Sequence, residues 1–189
     1  MSKLLARFTL KDLLIVAVMA ALGIAIKPLV VSLAHLISAP LMIPGGALAG
    51  GLYMMWLVMA FGLTGKRGSA TLCGIVQAIL VLVTGIVGSH GLMSLVSYTM
   101  PGLMIDVLLL AMRHRCCCLP CCFLAGMIAN LTGTLIVNFI FFRLPLVPLL
   151  LSLTVAAFSG GIGGLLSWWL LSALGKYGVA KPPQREARP

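Results

Sequence analysis

The chain has 189 residues, 61% of them hydrophobic and 8% charged, with a formal net charge of +10. Soluble globular domains carry about a quarter charged residues, so a soluble enzyme or binding domain is excluded. The basic excess does not point to nucleic acid either, because the Lys and Arg residues sit at the ends of apolar segments, where membrane topology places them.

Runs of about 20 apolar residues mark membrane-spanning helices. In chain order they fall at 12–26, 45–63, 68–87, 92–112, 119–142 and 146–174. The expected fold class is therefore all-α, an integral membrane bundle of six transmembrane helices. The first segment has no small-residue cleavage site with a soluble domain behind it, and more spans follow, so it reads as a membrane helix and not as a cleavable signal. Residues 28–43 are apolar but carry Pro28 and Pro40, with Pro44 just beyond. That stretch either extends the first span, lies in the interface, or re-enters the membrane packed on protein; its prolines argue against a seventh span.

With six spans and both termini cytoplasmic, eleven basic residues fall inside: Lys3, Arg7, Lys11, Lys66, Arg67, Arg113, Arg115, Lys176, Lys181, Arg185 and Arg188. Only Lys27 and Arg143 fall outside, a strong positive-inside bias. The domain reading is a cytoplasmic N-terminal segment at 1–11, a six-helix transmembrane domain at 12–176, which the resemblance described below implies is substrate-binding, and a polar, Pro-rich cytoplasmic tail at 177–189, expected to be disordered. No internal repeat is visible.

The first span aligns Ala17, Ala21 and Ala25 on one helix face. Small residues in lipid let a second helix come close, so this stripe reads as a partner-docking surface. Polar groups inside membranes are costly and therefore candidates for function. Gln77 lies in the third span. The turn "VGSHGLMSLVSYT" brings His90, Ser94, Ser97 and Tyr98 to a helix N-terminus, where open N–H groups can meet a ligand. Asp106 is the lone carboxylate in the interior of a span, either a ligand or proton site or a structural partner for Arg113, Arg115 or a buried amide. Asn130, Thr134 and Asn138 share one face of the fifth span, either lining a cavity or hydrogen-bonding between helices. "CCCLPCC" (116–122) reads as small apolar filler and not as a metal or redox motif, since no second ligand pair accompanies it. "SGGIGG" (159–164) permits close helix approach. Trp168 and Trp169 fit an interfacial anchor. Trp56 is mid-span, in the core or stacked on a ligand.

Enzyme signatures are missing. The chain has no HExxH, no Walker motif and no carboxylate pair. No catalytic residue, metal site or cofactor is assigned.

The small size, the basic flanks, the span count and the Ala stripe in "LKDLLIVAVMAALGIAIKPL" together resemble the substrate-binding S-component of an energy-coupling factor (ECF) transporter. Within that family, "GKRGSATLCGIVQAILVLVTGIVGSHG" and "SYTMPGLMIDVLLLA" look most like the hydroxymethylpyrimidine/thiamine-related branch, with Asp106 at the position of an acidic residue late in the fourth helix. The resemblance implies a multi-pass protein of the prokaryotic cytoplasmic membrane. It would capture a vitamin or related micronutrient at the outer face, and its partners would be a transmembrane coupling subunit and two cytoplasmic ATPases. The pocket is then expected toward the outer side, between the last three helices, with Gln77, His90, Ser94, Ser97, Tyr98, Asp106 and Asn138 as substrate-binding candidates and Ala17, Ala21 and Ala25 docking the coupling subunit. The scarcity of charge suggests a neutral or aromatic ligand, and a metal ion alone is disfavoured. The competing readings are a self-sufficient proton-linked secondary transporter using Asp106, or a membrane structural or assembly protein.

Overall fold

The computed structural model describes residues 8–38, 45–85, 91–112 and 118–177. His90, Arg113, Arg115, Cys116, Cys117 and the tail lie outside the described residues. Six α-helices follow in order: α1 Leu10–Ser38, α2 Gly45–Thr64, α3 Ser69–Thr84, α4 Ser94–Ala111, α5 Leu119–Val137 and α6 Leu146–Lys176. A π-helical turn, Asn138–Phe142, prolongs α5. The all-helical expectation holds among the described residues, as it must in a solvent that offers the backbone no hydrogen bonds.

Two elements differ from the sequence reading. First, α1 does not stop near residue 26. It continues through Pro28 to Ser38, so most of the ambiguous stretch extends the first span. Proline removes one backbone donor, and neighbouring helices make that tolerable within a membrane bundle. Second, five helices are long and apolar enough to cross a membrane, and α3 is shorter at 16 residues. It ends at Gly85, whose left-handed backbone (φ 62°) donates its N–H to the Val81 carbonyl. This is a glycine helix stop placed ahead of the boundary predicted at 87.

The helices alternate in direction. Lys66, after α2, pairs with Asp12 at the start of α1 at 2.6 Å. Asp106, late in α4, accepts hydrogen bonds from the start of α3: Gly68 N at 3.0 Å, Thr71 N at 2.8 Å and Thr71 Oγ1 at 2.5 Å. Gly68 has no side chain with which to cap α3, and a neighbouring helix provides the acceptor. A carboxylate there also faces the positive end of the helix dipole.

Glycine sets how closely the helices meet. A Cβ on Gly163 would lie 2.0 Å from the Gly51 carbonyl oxygen, joining α6 to α2, and one on Gly164 would lie 2.1 Å from the Cys122 carbonyl oxygen, joining α6 to α5. The "SGGIGG" stretch is thus a backbone-to-backbone seam on two sides, the role small residues play between membrane helices. Polar side chains reinforce it. Asn130 donates from Nδ2 to the carbonyls of Ala47 (3.0 Å) and Ala156 (2.9 Å), and Ser167 donates to Met55 O at 2.9 Å. Cys121 and Cys122 are buried in the core beside Ala125 and Ala129, the filler role expected of them.

Gly164→Val is expected to cost about 1–3 kcal/mol through overpacking, seen as a lower unfolding midpoint in detergent. Asp106→Ala is expected to cost a similar ~1–3 kcal/mol by orphaning the α3 donors. Its effect on ligand affinity, measured on the folded fraction, should be negligible.

Candidate functional site

A cavity of about 150 Å³ lies toward the end of the bundle opposite the Asp12–Lys66 pair. It is built from the late part of α1 (Lys27, Val31, His35), the early part of α2 (Gly45, Gly46, Ala47, Tyr53, Met54), the start of α4 (Ser97, Tyr98), the end of α5 with its π turn (Gly133, Thr134, Val137, Asn138, Phe142) and Ser152 of α6. The expectation of a pocket between the last three helices is corrected here: α1 and α2 contribute half of its wall. They can do so because α1 runs on past Pro28 and brings two further turns alongside α2.

The helix prolongation also moves Lys27. Read from the sequence, it sits at the outer boundary. In the fold it lies within α1, 8% exposed, at the cavity wall. Its Nζ donates to the Tyr98 hydroxyl and stands 4.1 Å from the Tyr98 ring centre and 5.1 Å from that of Tyr53. Two aromatic faces around one ammonium make a cation–π arrangement that desolvation strengthens. Tyr53 in turn donates its hydroxyl to Gly46 O at 3.0 Å, which fixes its ring. Ser97 Oγ is buried with no hydrogen-bond partner. His35 packs its ring on Gly45, where a Cβ would come within 2.8 Å of Nδ1.

Of the residues singled out from sequence, Ser97, Tyr98 and Asn138 come together at this cavity. Asn138 also closes the α5–α6 turn: its Oδ1 accepts from Leu144 N at 3.0 Å, and its carbonyl accepts from Arg143 N at 2.7 Å. Ser94 is buried at the first turn of α4 but does not line the cavity. Gln77 is away from it, buried against Gly23 and Trp56, with its Nε2 unpartnered. Asp106 is away from it too, held at the α3 N-terminus near the opposite end. The polar face of α5 divides: Asn130 bridges helices, while Thr134 and Asn138 line the cavity. Sequence reasoning missed Lys27, Tyr53 and Ser152. For Lys27 a signal was present, a cation flanked by apolar residues on both sides, but the proline after it masked the helix that carries it.

Ala17, Ala21 and Ala25 are all exposed, in a row along the side of α1 facing away from the bundle. The opposite side of the same helix buries Val16, Ala20, Ile24, Lys27 and Val31.

Compared with known proteins, the fold is similar to that of a solved structure described as an S-component of an ECF transporter, with a TM-score of 0.76 and 22% identity, covering 91% of this chain and 88% of that one. No curated protein sequence matches the chain. A family model described as "ABC-type cobalt transport system, permease component" matches residues 11–132, more than half of the chain. Helices α1 to α4 and the first part of α5, which together hold most of the cavity wall, fall within that match, and the chain belongs to this family of ABC-type transport permease components.

Proposed function

We propose that the protein is the membrane-embedded substrate-capture subunit, or S-component, of an ECF-type ABC importer for a vitamin or related organic micronutrient. The observation that carries this reading is the cavity. It is a recess lined by aromatic, aliphatic and a few polar groups, the usual makeup of a small-molecule site, set in a bundle with the fold of a solved S-component. Lys11, Lys66, Arg67 and Lys176 belong to the end opposite the cavity. By the positive-inside rule that end is cytoplasmic, and the cavity lies toward the outside.

Transport then needs partners, because the chain has no nucleotide-binding motif. A transmembrane coupling subunit would pack on the exposed Ala17–Ala21–Ala25 stripe, and two cytoplasmic ATPases would drive it. Proton-linked transport through Asp106 is disfavoured, since that carboxylate is held by three donors at a helix end.

The cavity chemistry bears on the cargo. The family description names cobalt, yet among the described residues no three His, Cys, Asp or Glu side chains gather as a metal site. The cavity wall offers a single imidazole and one ammonium. Divalent first-row metals are held by sets of imidazole, thiolate or carboxylate ligands, so a bare cation does not suit it. Within the thiamine-related class, Lys27 disfavours the cationic thiazolium of thiamine more than a neutral pyrimidine precursor.

Two experiments test this reading. In the first, the tagged chain is pulled from its native membrane in mild detergent and analysed by mass spectrometry. A coupling subunit with two ATPases is expected, and a chain that comes down alone would overturn the assignment. In the second, Ala21→Trp should abolish uptake in the assembled system and leave ligand binding by the isolated chain unchanged. Gly46→Leu should remove binding by the isolated chain, and uptake with it, without unfolding, because a Cβ there meets only the Tyr53 hydroxyl at 3.6 Å. Equal loss of binding in the Ala21 variant would sink the docking role.

A further inference from the structure

The chain contains three acidic residues in all. Asp12 is paired with Lys66, and Asp106 accepts three hydrogen bonds at the α3 N-terminus, both near the end away from the cavity. The third, Glu186, lies outside the described residues. Lys27 is therefore a buried ammonium with no carboxylate beside it among the described residues. Lysines near helix ends usually snorkel to the interface. This one is 8% exposed and turned inward onto two tyrosines. Aromatic faces offset part of the desolvation of an ammonium. The remainder is the kind of cost that a counter-charge relieves.

We propose that Lys27 is the anchor for the carboxylate of a monoanionic organic substrate, with the buried and unpartnered Ser97 hydroxyl as a second donor and the Tyr53 and Tyr98 rings beside its apolar body. This rests on the cavity being the capture site. A single negative charge matches the single lysine. A phosphate dianion would leave an excess charge in a wall otherwise made of uncharged side chains and one imidazole. The remaining polar lining, Thr134, Asn138 and Ser152, suits hydrogen bonding at the far end of the molecule.

The test uses the purified full chain in nanodiscs. Binding is measured by calorimetry and thermal shift against matched acid and uncharged pairs: nicotinate and nicotinamide, 4-aminobenzoate and 4-aminobenzamide, pantothenate and pantothenol, biotin and biotinamide, lipoate and lipoamide. Hydroxymethylpyrimidine and Co²⁺ complete the panel. At least one acid is expected to bind about tenfold or more tightly than its uncharged partner, the scale of one charge-assisted hydrogen bond. Lys27→Met should erase that preference and, with no ligand, raise the unfolding midpoint. Lys27→Arg should keep the preference. The proposal is overturned if no acid binds, if acid and uncharged partner bind alike, or if Lys27→Met leaves the acid's Kd unchanged. These failures are separable from failure of the capture reading. Neutral compounds that bind the wild type and are lost in Gly46→Leu would preserve the cavity as the site while removing the carboxylate. Binding that survives Gly46→Leu would remove both.

Discussion

The rest of the architecture depends on the direct contact of helix backbones at glycine. In lipid there is no hydrophobic gain from bringing two apolar helices together, so association relies on close packing and on a few buried hydrogen bonds. Gly51 against Gly163, and Gly126 against Gly160 and Gly164, bring α2, α5 and α6 to backbone contact. Asn130 and Ser167 then tie carbonyls across the same seams. Beyond these seams Tyr53, Tyr98, Met54 and Phe142 join small residues such as Gly46 and Gly133 in the wall of the cavity. Ala47 belongs to both, accepting from Asn130 in the seam and lining the cavity.

The two acidic side chains of the described helices belong to the opposite end. Asp12 fastens α1 to the α2–α3 turn, and Asp106 fastens α4 to the start of α3. Both interactions use a carboxylate where a helix or a turn presents positive charge. Their placement leaves the cavity without acidic groups and fixes the charge character of its wall through Lys27.

Much of this was legible from composition and spacing. The helical class followed from apolar run lengths, the α6 seam from "SGGIGG", the outward Ala stripe from its four-residue spacing, and Ser97, Tyr98 and Asn138 from the rarity of polar groups. What was not legible has specific causes. Pro28 reads as a breaker because it lacks an N–H, yet in α1 the helix simply passes through it, and the misread boundary hid Lys27 as an interior residue. Asp106, the lone carboxylate in the interior of a span, left a ligand role and a structural role both open. In the fold it accepts from two backbone amides and the Thr71 hydroxyl at the start of α3, a pairing between helices that spacing within one span does not record. Gln77 shares a polar identity with the cavity residues but faces Gly23 and Trp56 instead, a matter of helix rotation that spacing within one span does not fix.

The unequal lengths of α1 and α3 carry one more consequence. At 1.5 Å per residue, the 29 residues of α1 span about 44 Å and the 16 of α3 about 24 Å, against a hydrocarbon thickness of about 30 Å. The two pack on each other, so the same flank of the protein asks the bilayer to be thick and thin at once. A bundle with mismatches of opposite sign round its rim has no single upright depth that satisfies every side. Each ångström of mismatch costs a fraction of a kcal/mol, a cost that tilting of α1 or local thinning of the bilayer beside α3 relieves.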